Sequence, residues 1–144
     1  MLDKLKALFV EEEQDERIDP ALAAAALLYE VAWADHQVSD SEIETLANAV
    51  QKQFSVAPER LRIILEESKQ VHDSSVGVFP YTRAINEQLD QAAKIDIIKA
   101  MWQIAYVQDD LDVFEEHTIR RIADLLYVSH QDFIGTKLAV KRNR

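Results

Sequence analysis

A helical pattern that ends in a short polar turn and is followed at once by a second helical pattern occurs twice in this chain, and that repetition restricts the fold more than any other feature. The first copy reads Ala32-Trp33-Ala34-Asp35-His36-Gln37-Val38-Ser39-Asp40-Ser41-Glu42. The second, 73 positions on, reads Ala105-Tyr106-Val107-Gln108-Asp109-Asp110-Leu111-Asp112-Val113-Phe114-Glu115. Flanking apolar positions travel with the turn: Leu28/Met101, Val31/Ile104, Val38/Leu111, Leu46/Ile119 and Leu61/Ile134. A single helical unit written twice predicts two pseudo-repeated halves, about 19–75 and 90–144, joined by a bridge.

Apolar residues recur at helical spacing throughout, and no stretch alternates at period two over a strand's length. The expected class is therefore all-α: a single-domain helical bundle of about seven or eight helices. Residues 1–18 are set apart as an N-terminal amphipathic helix (Leu2, Leu5, Leu8, Phe9) that packs on the core, followed by the acidic linker Glu11-Glu12-Glu13-Gln14-Asp15-Glu16. The main domain, 19–144, starts at Asp19-Pro20, a cap followed by proline at the first helical position. That helix is expected to run to about Asp35, alanine-rich at its start and buried. Ser39 with Glu42 forms a capping box for the next helix, with Val38 placed to staple on Ile43 and a core face of Ile43, Leu46, Ala47 and Val50. Pro58 opens a further helix through Val71. Pro80 reads as a break in the bridge, with a short helix around Tyr81 to Leu89. Asp90-Gln91 opens the second long helix, which ends near Gln108. Phe114, Ile119, Ile122, Ala123 and Leu126 mark the one after it, and Ser129-His130-Gln131-Asp132 caps the last.

Composition removes several functions. The chain has 144 residues and a formal charge of −10, which disfavours phosphate backbones and favours cations or basic partners, so nucleic acid is not an expected ligand. It has no cysteine, which excludes disulfides and thiolate chemistry and points to a reducing cytoplasm. Its longest wholly apolar run, Ala21 to Leu28, is too short to span a bilayer, which takes about 18–20 residues. Its two glycines, Gly77 and Gly135, lie in no phosphate-binding loop. His36, His72, His117 and His130 fall at no metal or catalytic spacing, and Ser39 and Ser41 read as helix-start residues, so no enzyme is expected.

What chemistry there is sits in the two turns. Asp35, Asp40 and Glu42 crowd the first, and Asp109, Asp110, Asp112, Glu115 and Glu116 the second. An all-oxygen donor set of this kind suits a hard divalent cation, calcium ahead of magnesium or manganese, although the EF-hand pattern is absent. The alternative is capping: acids at helix starts stabilise the helix dipole without any ligand. Capping is the simpler account of the first turn. The second is balanced between the two, since five neighbouring carboxylates repel unless solvated or neutralised. If Glu42 and Glu115 only close capping boxes, replacing either with glutamine leaves stability nearly unchanged, because the box accepts both side chains.

At these residues, over roughly Ala21 to Phe133, the chain resembles the TerB-like tellurite-resistance family, whose members carry Ala-Asp-Gly-x-hydrophobic-Asp-x-x-Glu after a buried helix. Asp35, Glu42, Asp112 and Glu115 keep the family's residue types. Ser39 and Gln108 stand where the family has aspartates, and His36 and Asp109 where it has glycines. The resemblance implies an all-helical domain whose acidic residues gather into a cation-binding surface. It makes Asp35, Glu42, Asp112 and Glu115 the candidate metal ligands, with Ser39, Gln108, Asp109 and Asp110 as further oxygens. The function it implies is a non-enzymatic binding module in tellurite or stress resistance, working with a protein partner. The alternative is a helical interaction scaffold with vestigial metal sites.

The all-α reading predicts a far-ultraviolet circular dichroism spectrum dominated by helix; one dominated by strand would contradict it.

Overall fold

The computed structural model describes residues 17–74, 76–107 and 111–143. Seven helices occur among them, in the order α1 (Pro20–Ala32), α2 (Asp40–Phe54), α3 (Pro58–Asp73), α4 (Phe79–Gln88), α5 (Gln91–Ala105), α6 (Val113–Leu125) and α7 (His130–Arg142), with no strand among the described residues. None is long and apolar enough to cross a membrane. The N-terminal segment 1–18, expected as a short helix and an acidic linker, lies outside the described residues except for Arg17 and Ile18, the latter packed against the core.

α1 is the axis. Asp19 caps it, its carboxylate accepting from the Ala21 N–H at 2.9 Å while Arg60 of α3 grips the other carboxylate oxygen at 2.9 Å. Alanine favours helix and projects only a methyl group, so neighbours can approach on every side. Ten of the thirteen residues of α1 are accordingly buried, and α2, α3, α4, α5 and α6 all pack on it. A helix apolar on all sides is a core element. α5 is the second buried rod, contacting α1, α2, α6 and α7, with Met101, Trp102 and Ile104 enclosed.

Several boundaries differ from expectation. α1 ends at Ala32, with Trp33 as its C-cap, rather than near Asp35, and α5 ends at Ala105 rather than near Gln108. Pro80 does not break α4. It sits in the first turn, where a missing N–H has no intrahelical partner to lose. In α2, Ile43 and Ala47 are only half-buried, and Glu42 takes the inward position between them and the start of the helix. In α6, Phe114 is 66% exposed and Glu115 is the buried residue of that turn. Both exceptions share a cause: the cap sets the helix phase, and that phase turns the third residue inward whatever its polarity.

Positions at the 73-residue offset agree in burial. Leu28/Met101, Val31/Ile104 and Leu46/Ile119 are buried, while Val38/Leu111 and Leu61/Ile134 are half-buried. The caps Ser39 and Asp112 are also 73 apart. The duplication is a reading of the sequence, and this agreement is what such a reading requires.

Leu28→Ala and Met101→Ala should each lower stability by roughly 2–5 kcal/mol in urea denaturation, as buried truncations do. Phe114→Ser should change it by less than about 0.5 kcal/mol. A large loss at Phe114 with small losses at Leu28 and Met101 would contradict the packing.

Candidate acidic site at the helix starts

The first turn is built by its own hydrogen bonds. The Asp35 carboxylate accepts from the Gln37 N–H at 3.0 Å, closing an Asx-turn. His36 takes a φ of +62°, in the left-handed region, so the position where the resembled family has glycine does require a glycine-like backbone. Histidine tolerates that region better than most residues. Ser39 then closes the expected capping box: its hydroxyl accepts from the Glu42 N–H at 3.1 Å, while Glu42 Oε1 accepts from the Ser39 N–H at 3.1 Å and from the Ser39 hydroxyl at 3.0 Å.

The second turn is only half a box. Asp112 Oδ1 accepts from the Phe114 N–H at 2.7 Å and from the Glu115 N–H at 3.3 Å. Glu115 makes no reciprocal bond to Asp112 among the described residues, so the capping box, one of the two readings left open for this turn, is not closed. It is 5% exposed, and its Oε2 is buried with no hydrogen-bond partner among the described residues. Glu116, counted with the crowd on sequence, turns away and pairs with Lys137 of α7 at 2.9 Å.

The two turns share one electrostatic neighbourhood. Burial pushes the Glu115 carboxyl up to about 8, and the nearby carboxylates of Glu42, Asp35 and Asp112 push in the same direction. Glu42, 3% exposed, is also raised, first by burial; its two bonds from Ser39 oppose the shift and Asp35 adds to it. Glu42 likewise keeps one buried oxygen, Oε2, without a partner. Asp35, Glu42, Asp112 and Glu115 therefore act on one another across more than seventy residues of sequence. Gln108, Asp109 and Asp110 lie outside the described residues. Among the described residues, no three His, Asp or Glu side chains converge closely enough to hold a metal ion as they stand.

A family model described as tellurite resistance protein TerB matches residues 21–138, most of the chain. The chain belongs to the TerB family. Comparisons with curated proteins and with solved structures returned no match. The residue types carrying the family turn in both copies are thus attached to an all-helical TerB domain.

Sequence reasoning could not find the asymmetry between the turns. Ser39-x-x-Glu42 and Asp112-x-x-Glu115 look alike as strings, yet only the first closes on itself. It also missed the pairing of His72 Nδ1 with Glu30 Oε1 at 2.8 Å, which joins residues 42 apart.

The pH dependence follows from Glu115. Its pKa is raised in the folded state, so between about pH 4.5 and 8 the folded chain binds more protons than the unfolded one and stability falls as pH rises. Glu115→Gln removes that ionisation. In chelated buffer it should exceed the parent in stability above about pH 8, by an amount on the order of a few kcal/mol, and converge with it near pH 4. Glu42→Gln, whose box glutamine can complete, should show the smaller gain. Parallel pH–stability curves for parent and Glu115→Gln would contradict the assignment.

Proposed function

We propose that this chain is a non-enzymatic TerB-family module in tellurite or stress resistance, and that it binds a divalent cation where its two acidic turns meet. The observation that carries the proposal is the orphaned carboxylate of Glu115, buried beside Glu42, Asp35 and Asp112. An ionised carboxylate out of water needs hydrogen bonds, a proton or a counter-ion, and among the described residues Glu115 Oε2 lacks the first. The donor chemistry suits a hard cation, four carboxylates of which two keep an unpartnered buried oxygen, but the described side chains do not converge on one point and would have to draw together around the ion. Asp35, Glu42, Asp112 and Glu115 would hold the ion, completed by water or by the oxygens of Gln108, Asp109 and Asp110. Calcium is the first choice, because it accepts irregular oxygen shells that magnesium resists. When bound, the ion supplies charge compensation to a pair of helix starts and fixes them relative to α1. Catalysis has no part in the proposal, since neither a nucleophile nor a paired base accompanies the acids. A cysteine-free chain suits a reducing cytoplasm.

The scaffold alternative also has an observation in its favour. Ser39 and Glu42 satisfy each other without any ligand, and Val113 and Phe114 stand 76% and 66% exposed at the start of α6, as a protein-binding surface would. On that reading the acids are caps and solubilising charge around a partner-binding face.

Chelated protein titrated with calcium, magnesium or manganese distinguishes the two. A ligand present at 100 times its dissociation constant stabilises the native state by about 2.7 kcal/mol. The parent should gain thermal stability on this scale, Glu115→Gln should gain almost none, and Glu42→Gln an intermediate amount. A parent that shows no shift up to millimolar cation would leave the scaffold reading standing.

A further inference from the structure

The described residues begin inside a groove. Arg17 and Ile18 line a recess of about 630 Å³ along α4, together with Val76, Phe79, Pro80 and Ala84. Val76 is 60% exposed and Phe79 67%. Two large apolar side chains standing this far out in one recess form a patch, not a scatter of single surface residues.

The chain is anchored where it meets that patch. Gln88, at the end of α4, donates from Nε2 to the Ile18 carbonyl at 2.8 Å, a bond between residues 70 apart, and to the Ala84 carbonyl at 3.3 Å. Ile18 packs on the core, and Asp19 caps α1 directly after it. The backbone at residue 18 is therefore fixed beside α4, and the sequence preceding Arg17 is delivered to the groove.

That sequence suits the patch. Leu2, Leu5, Leu8 and Phe9 recur at helical spacing, and Phe9 stands eight positions before Arg17. Eight residues cover about 12 Å when helical and about 26 Å when extended. The ten residues of α4 make a rod of about 15 Å, so this reach brackets the length of the groove. Charge agrees with the fit. Arg83 pairs with Glu87 at 3.0 Å, which leaves Arg17 as the net positive charge among the lining residues. The run Glu11-Glu12-Glu13-Gln14-Asp15-Glu16 leads straight into Arg17. A second copy is the weaker occupant, because two chains of formal charge −10 repel each other, whereas a tethered segment meets the groove at high effective concentration.

We propose that residues 2–9 of this same chain cover the groove. The stripe of Leu2, Leu5, Leu8 and Phe9 seats on Val76, Phe79 and Pro80, and the acidic run passes beside Arg17. Seated there, the segment takes the apolar patch of α4 out of water. None of these residues belongs to the acidic junction, so the proposal stands independently of the cation reading.

A single spin label tests it. The chain has no cysteine, so Lys6→Cys in the full chain carries one nitroxide at one place. In nitrogen-15-labelled, spin-labelled protein diluted into unlabelled parent, the amide signals of Phe79, Arg83 and Glu87 should broaden strongly while those of α7 stay sharp. Unlabelled-isotope chains carrying the nitroxide, mixed with nitrogen-15-labelled parent, should broaden none of them. Leu5→Ser with Phe9→Ser, which alters no described residue, should reduce the broadening several-fold, and Phe79→Ser should reduce it likewise while the amides of α5 keep their positions. Sharp α4 signals in the diluted sample, broadening that falls on α7 instead, or broadening that survives the substitutions would overturn the proposal. Broadening of α4 confined to the mixed sample would also overturn it, by giving the groove to a second copy.

Discussion

The close packing that alanine permits around α1 is the constraint on which the rest of the molecule depends. Ala21, Ala23, Ala24, Ala25 and Ala26 leave backbone-deep space on several faces at once, and five helices occupy it. Because α2 and α6 both pack on α1, the starts of those two helices are held in one region although they are far apart in sequence. Larger side chains in α1 would push these helices outward and separate their acids. The electrostatics of the junction thus begin with methyl groups.

Drawing the helix starts inward has a cost, and the two turns meet it differently. Glu42 is stabilised by the backbone and hydroxyl of Ser39, which offset part of its burial. Glu115 faces the same burial and three neighbouring carboxylates, and its Oε2 has no donor among the described residues. An acid in that position is stable only with a proton or a cation. Glutamine or leucine would fill the space without that penalty. The two turns thus differ in how far their own hydrogen bonds offset burial: Ser39 serves one oxygen of Glu42, while Glu115 has no such partner among the described residues.

Much of this was legible in the sequence. The periodicity of Leu28, Val31, Met101 and Ile104 gave the buried rods, Ser39-x-x-Glu42 gave its box in full, and the four acids that share one field were singled out from eight in the two turns by their match to the family's turn. The misreadings came from tertiary geometry. Phe114 counted among the apolar residues that mark its helix, whereas the cap at Asp112 fixes a phase that exposes it and buries Glu115. Glu116 looked like a fifth acid of the cluster, but Lys137, 21 residues on, draws it away. Pro80 looked like a break because a string does not reveal which turn of a helix a proline occupies. The packing of His72 on Tyr29 and Trp33 was hidden for the same reason, since its hydrogen bond with Glu30 joins residues 42 apart.

The state of one carboxyl group tests the account most directly. With carbon-13 in the glutamate side chains, the Glu115 carboxyl resonance can be followed against pH, assigned with Glu115→Gln. In chelated protein it should titrate with a midpoint near 8, far above an ordinary glutamate, and excess calcium should drive it to the ionised position at neutral pH. A midpoint in the ordinary carboxylate range without any cation, unchanged when calcium is added, would show that Glu115 is neither strained nor a ligand.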